Sequence, residues 1–135
     1  MITDLDRNNA VLAAFPVCAQ SFRQRLIGLS WRRRWNGETD GMIFYGCASI
    51  HTFFMFMEID VLFLDRDCRV AGLRHSLKPW HIAWQAGAAA AIELRAGTLA
   101  ACGAAVGDRV NLNCAVGGAP EAMPFQMVST MPPTA

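Results

Sequence analysis

The residues with the clearest chemical potential lie in residues 47–65, which also contain the densest apolar run of the chain. Here His51 could act as a general base that Asp60 orients, with Cys47 as the nucleophile of a small hydrolase or isomerase. No basic residue stands directly beside Cys47 to activate its thiol. The chain also lacks the G-x-S-x-G, H-E-x-x-H and glycine-rich phosphate-loop motifs. We therefore keep these three as weak candidates and assign no catalytic residue.

Glu58 and Asp60 interrupt two apolar runs, and their surroundings allow two interpretations. Carboxylates this close to a core are costly unless they are paired or hydrogen-bonded. In the first interpretation, a turn keeps both side chains hydrated or lets them cap backbone amides. In the second, Asp60 faces His51 across a pocket. The first needs no special arrangement and is favoured.

Residues 75–84 form the second stretch of interest, because they contain two histidines and two tryptophans around Pro79. Such side chains could line a ligand cleft, or they could cover one end of a sheet. Together with the first stretch they predict a ligand or partner surface, which comprises His51, Thr52, Met55, Asp60, Lys78, Trp80, His81 and Trp84. A metal or small-ligand site using His51, His75 and His81 is a further hypothesis. We assign no metal site and no cofactor.

Composition limits the possible functions. The chain has 135 residues and a formal net charge of +1, which predicts one domain and no general attraction to nucleic acid. Three consecutive arginines, Arg32, Arg33 and Arg34, stand between two tryptophans and could stack on nucleic acid, but a solvated turn is favoured. No apolar stretch reaches the roughly 18–20 residues that a transmembrane helix needs.

The cysteines and the first residues predict the compartment. The five cysteines are odd in number and form no C-x-x-C pair, which favours reduced thiols over a disulfide framework. The start, MITDLDRNN, does not resemble a secretory signal. We expect a cytoplasmic protein, or a periplasmic one if a leader has been removed.

The segments predict an α+β protein that is mostly β, a compact antiparallel sheet or partly open barrel with one or two short helices. The predicted helices cover residues 22–29 and 98–102, and the predicted strands cover 10–19 with a break at Pro16, 41–45, 53–57, 59–64, 70–75, 88–94 and 109–113. Strands 59–64 and 70–75 are expected to form a hairpin, and a helix is the alternative for 88–94. We expect residues 1–9 to be flexible, residues 10–114 to form a single domain, and residues 115–135 to form an irregular tail with a strand remnant near 125–128.

The order of several short motifs resembles the uncharacterised DUF192 (UPF0127) family. These motifs are Ala19-Gln20-Ser21, Arg25, Gly28-Leu29, Gly41-Met42-Ile43-Phe44, His51-Thr52-Phe53-Phe54-Met55, Ile59-Asp60-Val61-Leu62-Phe63-Leu64-Asp65, Lys78-Pro79-Trp80, Glu93-Leu94 with Ala96-Gly97, and Gly107-Asp108. Relatives of this branch usually have an Arg and a Pro where residues 56–58 lie, and a Met where Ser30 stands.

The resemblance implies a compact, mostly antiparallel β domain but no established reaction. Some relatives look associated with pilus or secretion genes, which implies an accessory function. We therefore expect a non-enzymatic binding or accessory module with a protein partner, and the hydrolase, isomerase and small-ligand or metal-binder hypotheses stay open as alternatives.

Overall fold

The computed structural model describes residues 1–19 and 39–112, and this part of the chain contains ten strands and one helix. In chain order they are β1 (Ile2–Asp4), β2 (Ala10–Ala13), β3 (Pro16–Cys18), β4 (Gly41–Tyr45), β5 (Ser49–His51), β6 (Ile59–Leu64), β7 (Val70–Leu77), β8 (Ile82–Trp84), β9 (Ala90–Arg95), α1 (Thr98–Cys102) and β10 (Val110–Leu112). The predicted helix over 22–29, the Arg32–34 cluster and the strand remnant near 125–128 lie outside the described residues.

The strands form three sheets. The largest has the order β3-β4-β9-β6-β7, a second has the order β10-β1-β2, and β5 pairs with β8 alone. All pairs are antiparallel except β3 with β4. The described strands form open sheets and do not close into a barrel. This confirms the prediction of an α+β protein that is mostly β.

The central strands β4, β6 and β9 of the five-stranded sheet are buried on both faces, as the apolar residues of β6 predict. In β6, Ile59, Val61 and Phe63 pack into one core cluster with residues of β5 and β8. The alternate residues Leu62 and Leu64 pack into a second cluster with β1, β2, α1 and β10. The β6–β7 hairpin, β9 and the helix over 98–102 are confirmed, and Gly103 ends α1 in the left-handed conformation with φ 71°.

Two sequence predictions differ from the structure in and after the central stretch. Residues 53–57 form no strand, because Phe54 has a φ of 63° and the chain turns there. The stretch 75–84, predicted as a loop, contains the end of β7 and the whole of β8. Apolar content alone cannot distinguish a strand from a buried loop, because burial and not pairing selects the residue types.

The N-terminal residues also differ from their predicted flexibility. Ile2 is fully buried, and β1 lies between β2 and β10 in its sheet. Two ion pairs attach the following turn to the other end of the domain: Arg7 Nε donates to Asp108 at 2.8 Å, and Arg109 Nη2 donates to Asp6 at 2.7 Å. The hydrogen bonds from Arg109 lower the pKa of Asp6 to about 2. These partners are about a hundred residues away, so local polarity could not indicate them.

Asp60 occupies an irregularity in the β6–β7 pairing. The register shifts between Ile59 and Val61, and Ser76 opposite it has a φ of 47°. Asp60 Oδ1 accepts a hydrogen bond from Ser76 N at 2.8 Å, and Oδ2 accepts one from Leu99 N at 2.8 Å. Gly97, the N-cap of α1, has no side chain to cap the helix, so Asp60 supplies that acceptor from a distant strand.

We expect Asp60→Ala to lower the free energy of unfolding by about 2–4 kcal/mol, because two amide donors lose their acceptor and Leu99 N is buried. Urea denaturation measures the change. Asp67→Ala is the matched control, since Asp67 lies in an exposed turn, and its substitution is expected to change stability by less than about 0.5 kcal/mol. Equal stabilities for the two variants would contradict the capping function of Asp60.

Candidate functional site

Thr52 joins the two stretches that the sequence singles out. Its side chain is fully buried, its hydroxyl donates to Lys78 O at 2.7 Å, and its Oγ1 accepts from His81 N at 2.9 Å. Its backbone carbonyl accepts from Trp80 N at 3.0 Å, and its backbone N donates to His81 O at 2.8 Å. These bonds connect the turn after β5 to the turn before β8, so one buried residue positions both sets of exposed side chains.

A series of ring contacts crosses this junction. Phe54 meets Trp80 edge-on at a centroid distance of 4.8 Å, and Trp80 lies 5.9 Å from the Phe53 ring. Phe53 in turn lies 5.0 Å from the His51 ring. Trp80 has a φ of 66° and is 60% exposed, so its backbone adopts a conformation uncommon for a large residue while its ring faces solvent.

The two-stranded sheet of β5 and β8 extends this surface. His51 is the pairing partner of Ile82, and Ser49 is the partner of Trp84. Ala83 faces the core, whereas Ile82 and Trp84 are 63% and 67% exposed. We call the continuous set the aromatic surface, which comprises His51, Phe53, Phe54, Trp80, Ile82 and Trp84.

Two cations, Lys78 and Arg74, lie at the edge of the aromatic surface. Lys78 and His81 are exposed at the Thr52 junction, and His75 is exposed near the end of β7. Arg74 donates from Nη2 to Trp84 O at 2.8 Å, and its guanidinium lies 5.6 Å from the centre of the Phe63 ring. Glu58 is the exposed carboxylate in the adjoining turn. Lys78 and Arg74 outnumber Glu58 at this edge, which favours a negatively charged neighbour there.

The structure does not bring His51 and Asp60 together. His51 Nδ1 accepts from Phe53 N at 3.2 Å, which leaves the ring proton of the neutral imidazole on Nε2. Asp60 lies on the face of β6 that packs against α1, whereas β5 packs on the opposite face. Both Asp60 oxygens already accept amide hydrogen bonds, so Asp60 is a structural residue and does not orient His51.

Among the described residues, Cys47 and the other histidines form no hydrogen-bonded catalytic group. Cys47 is half-buried and packs against the core cluster beneath β5 and β8, with no hydrogen bond to His51 in the described structure. His81 Nδ1 lies 2.8 Å from Pro79 O, which makes that nitrogen the donor. Within residues 1–19 and 39–112, His51, His75 and His81 form no cluster that could hold a metal ion.

The predicted surface residues separate into two groups. His51 is half-buried, and four others are exposed, namely Lys78, Trp80, His81 and Trp84. Thr52 and Met55 are buried beneath the surface, whereas Asp60 is buried on the opposite face of β6. Sequence reasoning missed Phe54 and Ile82 as surface residues because each stands in an apolar run typical of a core. The signal in the sequence for Ile82 was its position two residues from each of Trp80 and Trp84, since residues two apart in a strand share a face.

Glu93 is a buried carboxyl group. It lies in β9 between Met42 and Val61, is 3% exposed, and its Oε2 has no hydrogen-bond partner among the described residues. Burial raises the pKa of this carboxyl to about 8, so at neutral pH it is mostly a neutral acid. A neutral Glu can occupy an apolar face at a much lower cost than a carboxylate.

Removing the Thr52 hydroxyl should loosen the junction of the two turns. We expect Thr52→Val to lower the free energy of unfolding by about 2–3 kcal/mol and to speed hydrogen exchange at the His81 amide, because buried donors and acceptors lose their partner. Thr52→Ser keeps the hydroxyl and serves as the control, with a loss of about 1 kcal/mol. A loss as large for Thr52→Ser would show that packing of the methyl group, and not the hydroxyl, stabilises the junction.

Glu93 should make stability fall with rising pH. Its folded pKa of about 8 lies above its ordinary value of 4.5, so the folded state binds the proton more tightly and loses stability as pH rises between these two values. We expect the stability of wild type relative to Glu93→Gln to fall by about 1.4 kcal/mol per pH unit across that window and then to level off. Urea denaturation at a series of pH values measures this difference.

The exposed Glu58→Gln variant is the control for that measurement, since it removes a carboxylate without removing a buried one. Its pH profile should parallel that of wild type. Parallel profiles for wild type and Glu93→Gln would instead mean that Glu93 has the same proton affinity in the folded and unfolded chains.

In the described part of the chain, the fold and this site define a β-rich α+β domain with an exposed aromatic surface. The DUF192 family model, described as Uncharacterized ACR, matches residues 5–112. The chain belongs to the DUF192 family. No curated protein matches it. Within the described residues, there is no helix with the length and apolar character of a membrane span.

Two solved structures are similar to this chain. One is a protein of unknown function from Novosphingobium aromaticivorans, with 25% identity and a TM-score of 0.64 over 72% of this chain and 74% of that one. The other, from Sinorhizobium meliloti, carries the description of a proposed transcription regulator, with 26% identity and a TM-score of 0.63 over 70% of this chain and 78% of that one. Both have a fold similar to that of this chain.

Proposed function

We propose that this protein is a non-enzymatic binding module that holds a protein partner through the aromatic surface. The observation that supports the proposal is the exposure of Trp80, Ile82 and Trp84, each at least 60% accessible, on one continuous surface. Exposed apolar side chains in a contiguous group are typical of interaction sites, and tryptophan contributes more binding energy than most residues.

The chemistry of the surface favours a partner segment with apolar side chains and flanking carboxylates. The apolar side chains would cover Ile82 and Trp84, and the carboxylates would lie against Lys78 and Arg74. The buried bonds of Thr52 hold the surface in place before binding, so little further ordering is needed when a partner arrives.

The proposed partner is a protein and not a nucleic acid, since the net charge is only +1. The Sinorhizobium meliloti neighbour carries its regulator description for that protein, and no feature of the aromatic surface extends it to this chain. We propose the cytoplasm as the compartment, which is supported by the odd number of cysteines and the lack of a C-x-x-C pair in the sequence. Components of pili or secretion machinery are the first partners to test.

We expect Trp84→Asp to weaken partner binding by roughly 30-fold or more, because a charge replaces a central apolar contact. The partner is captured from the native host with the wild-type protein, purified, and titrated by interferometry against each variant. Val106→Asp is the matched control, since Val106 is 66% exposed against 67% for Trp84 but lies outside the aromatic surface.

Unchanged affinity for the folded Trp84→Asp variant would contradict the proposal, as would an equal loss for Val106→Asp. Failure of the wild-type protein to capture any partner that binds again after purification would also contradict it. Melting curves for both variants establish that the comparison is between folded proteins.

A further inference from the structure

A groove lies along the seam where two sheets separate. It is bounded by β2 at the edge of the three-stranded sheet, by Phe15, Thr39 and Asp40, and by α1. Its volume is about 430 Å³, within the range of small-molecule sites. We call it the seam groove; it is lined by Val11, Leu12, Phe15, Thr39, Asp40, Arg95, Thr98, Ala101 and Cys102. It shares no residue with the aromatic surface.

Hydrogen bonds fix the wall of the seam groove that is formed by Phe15, Thr39 and Asp40. Asp40 Oδ2 accepts from Ala14 N at 2.8 Å, and Asp40 Oδ1 accepts from Phe15 N at 2.8 Å. The Thr39 hydroxyl donates to Phe15 O at 2.9 Å. These bonds fix the wall and also place two amide dipoles against the carboxylate of Asp40, so its charge is partly balanced.

Arg95 carries the opposite charge without such compensation. It is exposed at the end of β9, and no carboxylate among the described residues forms an ion pair with it. The Thr98 hydroxyl also has no hydrogen-bond partner in the described structure and lines the same groove. A guanidinium and a hydroxyl in one groove suit a carboxylate, which can accept hydrogen bonds from both.

The rest of the seam groove is apolar. Phe15 is 66% exposed and Val11 is 48% exposed at its rim, so an apolar body could cover both side chains. Cys102 is the potential nucleophile in the groove, but its thiol donates to Val11 O at 3.6 Å. Burial, followed by the charge of Asp4, raises the pKa of the Cys102 thiol, which keeps it protonated and unreactive. The groove is therefore equipped to bind and not to react.

We infer that the seam groove is a binding site for a small organic acid, a monocarboxylate whose charge pairs with Arg95 and whose apolar body lies against Val11 and Phe15. Asp40 sets the orientation, because it repels an anion and so directs the carboxylate toward Arg95. The inference is independent of the aromatic surface and of its protein partner.

The experiment is a nuclear magnetic resonance titration of the labelled full-length chain with hydrocinnamate, and with its uncharged amide as the second probe. We expect saturable shifts of the Phe15, Thr98 and Ala101 amides with the carboxylate, and binding weaker by roughly tenfold with the amide. Arg95→Gln should weaken hydrocinnamate binding by roughly tenfold or more, and Arg95→Lys should restore part of it.

Two further variants make the result decisive. Arg66→Gln removes an exposed cation from a turn outside the seam groove and should leave hydrocinnamate binding unchanged. Ala101→Trp places an indole in the groove and should abolish the shifts without altering the charge of Arg95. Absence of saturable shifts at the groove, equal binding of the two probes, or unchanged binding by Arg95→Gln would each overturn the inference.

Discussion

The carboxylate of Asp60 is the contact on which the arrangement of this domain depends. It is fully buried, and its two oxygens accept hydrogen bonds from β7 and from the first turn of α1. The first bond allows the irregular turn of the backbone at Ser76, which redirects the chain toward the stretch that carries Trp80. The second holds α1 against the five-stranded sheet, where it forms one wall of the seam groove. The positions of the aromatic surface and of the seam groove therefore both depend on the buried Asp60 side chain.

Glu93 shows a different solution to the same physical problem. Asp60 and Glu93 are both carboxyl groups in the five-stranded sheet, and both are almost completely buried. Asp60 lies where an irregular pairing and a helix end present unpaired amides, so it can hydrogen-bond with both oxygens. Glu93 lies in regular pairing between Met42 and Val61, where the neighbouring amides already serve the sheet. Without donors, burial favours the protonated form.

The aromatic surface combines exposed apolar rings with a polar support beneath them. Thr52 connects two turns through its hydroxyl and its backbone, and its carbonyl accepts from Trp80 N, which holds Trp80 in an uncommon backbone conformation. An exposed aromatic group held in this way lowers solubility and strains the backbone. Both disadvantages are explained if the group takes part in recognition, which is why we propose that the protein partner binds there.

The sequence by itself determined the pieces whose cause is local. Apolar runs and β-branched residues predicted β4, β6 and β9, and Gly103 marked the end of α1 correctly, because residue type and backbone preference act within a few positions. The sequence also predicted that His51, Trp80 and Trp84 belong to a ligand or partner surface. Only the tertiary structure decided that Asp60 caps a helix and does not orient His51. It also decided that residues 53–57 turn and that residues 1–9 are anchored through Asp108 and Arg109. Each of these depends on a partner far away in the chain, and no local pattern can specify a hydrogen bond whose donor is supplied by a distant strand or helix.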